Sequence, residues 1–447
     1  MTNTTPFDIP ADDRFEVVIA GAGFAGLALA KALASGFGTS ARIALVTRDS
    51  VSPARGNADS RATALSAASV RMLDKLGVWA NCSVSAQPVT AIDITDSPLH
   101  AGVRPILLSY DNHVGSDEPA SHVIPNAALE AALTAAVSTM PTISILPQTT
   151  VGAFSAGPEA VTVTLSPTRT LQAKLLVAAD GRSSPLRRLA GIKTTGWSYP
   201  QTGITVTVRH DLPHGGHAVQ HFLPGGPFAM LPLPGNRSCI TWSEKNDEAR
   251  RLLALDDAAF LGELEQRAGG RLGAIELDGP RQSWPLEMFM ARSFIAPRFA
   301  LVGDAAHNVH PIAGQGLNLG LRDCAALAEV LVDARRLGLD IASGTLERYE
   351  RWRRFDTMTS AASFDALNRL FSTDGALRRS AREFALGAIN RLPGVKQRLV
   401  AEAAGTTGDL PRQSGKTALQ RVVFPHHFQM PRLRQILTSL IEIRPQA

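Results

Sequence analysis

Gly303–Asp323, GDAAHNVHPIAGQGLNLGLRD, is the stretch on which the fold turns. It follows an apolar run, Phe299–Val302, that gives way to an acidic residue, Asp304, and then to a glycine-rich approach to a helix. A carboxylate just past a short strand accepts hydrogen bonds from hydroxyls. Gly314, Gln315 and Gly316 leave backbone N–H groups open to a planar or anionic group that a side chain would otherwise hold away. Leu317, Leu319 and Leu321, with Ala325, Ala326 and Leu327, continue as a mainly helical run, and Asn318 and Asp323 offer polar contacts near its first turns. An ordinary strand–loop–helix connection in an α/β domain has the same pattern. The rest of the chain has to decide.

At 447 residues the chain is too long for one comfortable core and suits two or three domains. A content of 45% hydrophobic and 19% charged residues describes a folded globular protein, not a disordered one. The net charge of +5 is modest for this length, and no zinc-finger or RNP-type pattern accompanies it, so nucleic acid is not an expected partner. Cys82, Cys239 and Cys324 are far apart and odd in number, which argues for reduced thiols and a cytoplasmic setting. The N-terminal MTNTTPFDIPADDR reads as neither a signal nor a transit sequence. The longest apolar region, Val17–Ala34, contains Lys31 and several glycines and reads as a buried strand and helix, so membrane contact is expected only at the periphery.

Near the N-terminus, a short strand over Phe15–Ala20 runs directly into Gly21-Ala22-Gly23-Phe24-Ala25-Gly26 and a helix over Leu27–Ser35. This is a GxGxxG arrangement in the strand-to-helix context that dinucleotide binding requires: Gly21 for the tight turn, Gly23 for approach of a pyrophosphate, Gly26 for close packing. The next strand, Arg42–Val46, ends at Thr47 where an acidic residue would hold an adenosine ribose, and Arg48 and Asp49 follow. Asp49 as a substitute and Arg48 toward solvent or the pyrophosphate are both open. Asp59–Ser66 leads into an amphipathic helix that ends at Gly77, with Arg61 either a site arginine or one half of a surface ion pair.

Strands are expected at Ser121–Pro125, Ile143–Leu146, Val161–Leu165 and Leu175–Ala178, with a helix over Asn126–Val137. The last of these strands ends in ADGRSSPLRR, which places Asp180 and Gly181 where open α/β sheets bind ligands, ahead of Arg187 and Arg188. Gln201–Val208, Ala218–Leu223, Phe228–Leu233 and Ser238–Ser243 have the pattern of an antiparallel sheet with one apolar face. His214, His217 and His221 lie across a glycine-rich turn without an obvious carboxylate partner, and no metal site is expected there. His307 and His310 are expected to hydrogen-bond near the organising loop rather than to bind a metal. Beyond Asp323 the chain is mostly helical, and Arg351, Arg353, Arg354, Arg378 and Arg379 read by default as a solvated helix face.

Three separated segments, GAGFAG at 21–26, ADGRSSPLRR at 179–188 and the opening stretch at 303–323, together resemble the flavin-dependent class A aromatic hydroxylases. The third looks like the ubiquinone-biosynthesis hydroxylase branch, and the resemblance spans roughly residues 14–412, with the GDLPR segment at Gly408–Arg412. It implies an α/β fold: a Rossmann-like FAD-binding domain with an inserted, mostly antiparallel substrate sheet and a C-terminal helical region. The FAD-binding parts are expected at 14–86, 121–195 and 286–330, the substrate parts at 87–120 and 196–285, and the helices and tail at 331–447. The resemblance assigns Gly21, Gly23 and Gly26 to the FAD pyrophosphate, Asp180 and Gly181 to its neighbourhood, Asp304 to the ribitol and Arg61 to the flavin site. It sets the loop from Pro311 to Gly316 beside the ring, followed by Leu317 and Asn318. His310 and Pro311 would shape the substrate side, and amides of Gly314, Gln315 and Gly316 would stabilise charge on the reduced ring.

The implied reaction passes one atom of molecular oxygen, by way of a C4a-hydroperoxyflavin, to the ring of a hydrophobic, polyprenylated phenol. FAD is reduced by NAD(P)H or another electron donor. The resemblance also leaves room for a ubiquinone-biosynthesis protein complex and for peripheral contact with the inner face of the cell membrane. A hydroxylase of a soluble aromatic compound, a flavin-dependent prenyl reductase and a non-catalytic nucleotide-binding interaction protein are the alternatives.

Overall fold

The computed structural model describes residues 11–49, 59–96, 99, 104–115, 117–166, 169–223, 225–309, 314–371, 393–407 and 410–415. The chain divides into the units Met1–Ser414 and Gly415–Ala447, and every element named here belongs to the first. His310, Pro311, Gly408, Asp409, Arg378 and Arg379 lie outside the described residues.

Among the described residues an eight-stranded sheet forms the first layer. Its parallel core runs in the order Ile143–Leu146, Ile43–Val46, Arg14–Ala20, Arg169–Ala178 and Phe299–Leu301. Val17, Val18, Ile19, Leu175, Leu176 and Val177 have no exposed surface. Parallel strands covered on both faces require such unbroken apolar runs, which is why these segments stand out in the sequence. The helices Phe24–Phe37 and Gln315–Arg336 share one core cluster with the sheet. Thr150–Ala156 completes the sheet's antiparallel edge through pairing with Val161–Ser166. Its residues are mostly exposed or half-buried, so it has no apolar alternation and sequence reasoning passes over it.

A nine-stranded sheet forms the second layer, in the order His307–Asn308, Gln282–Ala291, Thr194–His210, Arg237–Lys245, Gly226–Leu233, His217–Leu223, Ala91–Asp96 and Leu108–Asp111, with Ile275–Leu277 beside Thr194–His210. Strand Thr194–His210 starts just before the expected limit at residue 196, and Gln282–Ala291 crosses the one at 285. Strand alternation gives this sheet two different faces. Ile204, Val206, Val219, Phe228 and Trp242 pack under the helices Asn246–Leu253 and Asp257–Ala268 through Leu252, Phe260 and Leu264. Ala218, Leu231, Leu233 and Cys239 pack the other way, against Ala62, Ala64 and Val123.

Ala62–Ser66 is a strand paired with Ser121–Pro125, a feature the sequence reading missed when it ran residues 59–66 straight into a helix. The helix itself is Ala67–Lys75, and the Ser66 hydroxyl caps it by accepting the Ser69 N–H at 3.3 Å. The arginine-rich helix Leu346–Phe371 also corrects an expectation. Arg353 does not face solvent but is completely buried, because the buried Asp323 carboxylate and the half-buried Asp356 both pair with it.

Candidate active site

The C-terminal edge of the parallel core brings the three sequence segments to one place, through contacts that can be named. A Cβ on Gly21 would lie 2.2 Å from the Ala179 carbonyl oxygen, so the first glycine segment and the ADG segment touch backbone to backbone. Gly21 holds φ of 112°, which glycine adopts without steric cost. A Cβ on Gly303 would meet Ala25 at 3.1 Å, and the Cys324 thiol donates to the Ala25 carbonyl at 3.2 Å, which packs the first helix against the third segment. Arg187 closes the triangle. Its guanidinium donates to the carbonyls of Arg182 at 2.9 Å and Ala305 at 2.7 Å and lies over the Phe289 ring.

Two helix N-termini open onto this edge. The helix Phe24–Phe37 is N-capped by Gly23 and the helix Gln315–Arg336 by Gly314, and neither receives a side-chain cap. Their first-turn amides, with the positive end of each helix dipole, are suited to negative charge. A Cβ placed on Gly23 or on Gly316 would meet no atom of the described residues within 4 Å. Open space beside uncapped amides fits a pyrophosphate at the first helix and the polar edge of a planar ring at the second, and the residues present therefore fit FAD.

Asp304 lies in the short turn Gly303–Ala305 that follows strand Phe299–Leu301 at this edge. Its side chain is exposed, yet the surrounding protein pushes its carboxyl upward against the opposing pull of His307, Arg182 and Arg61. A group that solvent reaches while protein surrounds it lies at the floor of a cleft. Arg61 forms a two-pronged ion pair with Asp59, Nε to Oδ1 and Nη2 to Oδ2 at 2.8 Å each, and feels the field of Asp304. It is thus both an ion-pair partner and a cation of the cleft. Asp180 accepts the Leu186 N–H at 3.2 Å with one carboxylate oxygen, while its other oxygen is buried without a partner. Burial pushes its carboxyl upward, and an orphaned oxygen at a cleft edge is suited to a ligand hydroxyl. Gly181 adjoins it with φ of 82°.

The Asp304 turn is held from behind by a buried polar chain. Asp323, without exposed surface, accepts the Gly303 N–H at 3.1 Å and His307 Nε2 at 2.6 Å on one oxygen and Arg353 Nε at 2.7 Å on the other. Arg353 also donates to Asp356, which receives Arg322 at 2.7 Å. These cations hold the carboxyl groups of Asp323 and Asp356 below the usual carboxylate range, although burial alone would raise them. His307 therefore hydrogen-bonds beside the organising loop as its sequence position suggests, and Asp323 does so from inside the core.

The Asn318 side chain bonds other parts of the chain. Its amide oxygen accepts the Ser66 N–H at 2.9 Å and the Ser69 hydroxyl at 2.8 Å, and its nitrogen donates to the Ala64 carbonyl at 2.8 Å. The side chain is a clamp between helix and strand, and the helix-start amides open to a ligand are those ahead of it, up to Leu317. Leu317 is half-buried against the core, and the Gln315 amide donates to the Ala403 carbonyl at 3.3 Å, joining the helix start to the C-terminal helix Pro393–Ala403. Thr47, where the acidic residue was missing, turns its hydroxyl to the Asp49 N–H at 3.4 Å.

The three middle histidines diverge. His214 bonds the Leu233 and Gly235 carbonyls, His221 pairs with Thr95, and His217 meets the Asp93 carboxylate at 3.1 Å. That carboxylate partner was not visible in the sequence, because Asp93 arrives on a strand paired in parallel from another part of the chain.

A profile of the family described as "FAD binding domain" matches residues 14–355. A protein named ubiquinone hydroxylase UbiL from Rhodospirillum rubrum is 40% identical over 90% of this chain and 92% of its own. Escherichia coli K12 has a relative named 3-demethoxyubiquinol 3-hydroxylase, 32% identical over 87% of this chain and 98% of its own. Among solved structures, that of p-nitrophenol 4-monooxygenase PnpA from Pseudomonas putida DLL-E4 superposes with a TM-score of 0.74 at 20% identity, over 88% of this chain and 98% of that one, a likeness of fold. The sheet edge, the two uncapped helix starts and these relatives agree, and the chain belongs to the class A flavin-dependent aromatic monooxygenases, in the branch of the ubiquinone-biosynthesis hydroxylases.

Proposed function

We propose that the protein hydroxylates the aromatic ring of a polyprenylated phenol in ubiquinone biosynthesis, with FAD bound and molecular oxygen as co-substrate. The observation that carries this reading is the convergence of the three segments on one cleft beside an apolar sheet face, in a chain whose relatives are named for ubiquinone hydroxylation. Bound FAD supplies the oxygen chemistry: one oxygen atom enters the ring, the other leaves as water, and NAD(P)H or another donor provides two electrons.

The chain's own residues bind and orient. Gly21, Gly23 and Gly26 with the first helix hold the pyrophosphate, and Asp180 and Gly181 border it. Asp304 accepts ribityl hydroxyls, and Arg61 offers a positive charge close by. The amides from Gly314 to Leu317 stabilise negative charge at the ring's polar edge, since preorganised donors need no rearrangement when charge develops. By the resemblance to the family, His310 and Pro311 would shape the substrate side of this loop.

No helix among the described residues is long and apolar enough to cross a membrane. A polyprenylated substrate partitions into lipid, so this reading places the work at the inner face of the membrane by peripheral contact, open to a protein complex of the same biosynthesis. The test is anaerobic reduction of the purified holoenzyme followed by ¹⁸O₂ with 2-farnesylphenol. One labelled oxygen on the ring is the expected product. Consumption of the phenol without label overturns the reading, and loss of a prenyl double bond points to a reductase.

A further inference from the structure

Gln220 is a polar residue without a function in the fold. It lies in strand His217–Leu223, opposite Ala229 on one neighbouring strand and beside Ile94 on the other. Strand alternation puts it on the same face as Ala218, two residues earlier. Ala218 packs with Leu231, Cys239, Ile92, Ala62 and Ala64, so this face looks toward strand Ala62–Ser66 and away from the covering helices. Ala64 lies 3.5 Å from a Cβ built on Gly314, and its carbonyl accepts Asn318 at the start of the organising helix. The Gln220 face is therefore the one that adjoins the ring end of the cleft.

The Gln220 amide nitrogen is buried and has no hydrogen-bond partner. Its cross-strand neighbours are apolar, and no described side chain offers it an acceptor. Native proteins leave few such groups unsatisfied, and each one is unfavourable for folding. An apolar side chain of the same length would fill the position without that penalty. A primary amide carries a donor and an acceptor on one planar group, which suits a ring oxygen, whether hydroxyl, methoxyl or carbonyl.

We propose that Gln220 is a specificity-determining residue that hydrogen-bonds an oxygen substituent of the aromatic substrate, and so fixes how the ring is turned over the flavin. This rests on the reading of the cleft as a phenol hydroxylase site. The side chain is half-buried and its amide nitrogen is shut in beside apolar neighbours, so a substrate oxygen entering here is the partner that completes the amide. A ring lacking that oxygen leaves the amide unpaired and loses affinity, the mode by which polar sites reject deoxy analogues.

The test compares 2-farnesylphenol with farnesylbenzene, which differs by the ring hydroxyl. Binding to oxidised holoenzyme is read from the perturbation of the flavin absorbance, for the wild type and for Gln220→Met. The wild type is expected to prefer the phenol by about 5- to 20-fold, the worth of one buried hydrogen bond. Gln220→Met is expected to lose that preference, with farnesylbenzene affinity unchanged and the cofactor-free protein no less stable. Should Gln220→Met fail to fold, Gln220→Leu enters the same comparison.

An unchanged preference in the variant, or equal weakening of both probes, overturns the proposal while leaving the hydroxylase reading intact if ¹⁸O still enters the ring. A wild type that binds neither probe and incorporates no label overturns both.

Discussion

Gly23 and Gly26 are three residues apart in one motif, and the structure gives them opposite consequences on substitution by alanine. A Cβ on Gly26 would lie 1.8 Å from the Gly21 carbonyl oxygen, so the turn and the helix must separate by roughly 1 Å to admit it. Overpacking typically costs about 1–3 kcal/mol, and a contact this short against backbone belongs at the upper end. Alanine recovers about 1 kcal/mol over glycine in a helix, which leaves a net loss of about 2 kcal/mol for Gly26→Ala. A Cβ on Gly23 meets nothing among the described residues within 4 Å, and the backbone there, φ −78° and ψ −175°, suits any residue. Gly23→Ala therefore alters the cofactor-free protein by only a few tenths of a kcal/mol up to about 1 kcal/mol, the difference between these residues at an N-cap. Its methyl group instead occupies the space beside the helix amides, and a loss of at least about tenfold in FAD affinity, about 1.4 kcal/mol, is expected. Urea unfolding of deflavinated protein and FAD titration by fluorescence quenching separate the two effects. Wild-type FAD affinity in Gly23→Ala, or wild-type unfolding in Gly26→Ala, refutes the assignment of one glycine to the ligand and the other to packing.

Arg353→Met leaves the Asp323 carboxylate buried with one donor fewer, and a loss of about 3–5 kcal/mol in urea unfolding is expected. Asp323→Asn should cost a similar amount, with the double variant well short of additive because the two groups share one network. The folded Asp323 and Asp356 carboxyls lie below their unfolded values, so their contribution is present above about pH 4 and is lost as pH falls through the folded values. Unfolding curves collected from neutral to acid pH should show a shallower acid loss in Asp323→Asn than in the wild type. Asp304 has the opposite sign: its folded carboxyl is pushed up, so its ionised form opposes folding above the unfolded value. Asp304→Asn is expected to leave the cofactor-free protein at least as stable while weakening FAD about tenfold by equilibrium dialysis, and lower stability with unchanged FAD affinity defeats the cleft-floor reading.

What the sequence showed and what it hid follow from distance along the chain. The glycine turn, the ADG segment and the strand-to-helix approach at Gly303 are each written within about ten residues, because buried parallel strands and helix starts impose local patterns. Their junctions are not local. Arg187 reaches Ala305 across 118 residues, and His217 meets Asp93 across 124. Nothing near either position announces its partner. Arg353 misled for a related reason: in a run of arginines it looks like a solvated face, and only the arrival of Asp323 on another helix makes its burial tolerable. Thr150–Ala156 was missed because an edge strand with few buried residues has no apolar period to read.

The two layers are therefore constrained by different physics. At the parallel sheet edge, backbone meets backbone: Gly21 against Ala179 and Gly26 against Gly21. Contacts at that range admit no side chain, so the cofactor end cannot vary without rebuilding the turn. On the inner face of the nine-stranded sheet the contacts are between side chains, and strand pairing there continues whatever residue points inward. A change at Gln220 alters what the cleft recognises while leaving every ladder hydrogen bond in place. Ring orientation, and with it the carbon that is oxidised, is then governed by positions that the fold leaves free. It follows that substitutions at Gly21 or Gly26 should act on folding and on FAD together, whereas those on the Gln220 face should act on substrate alone.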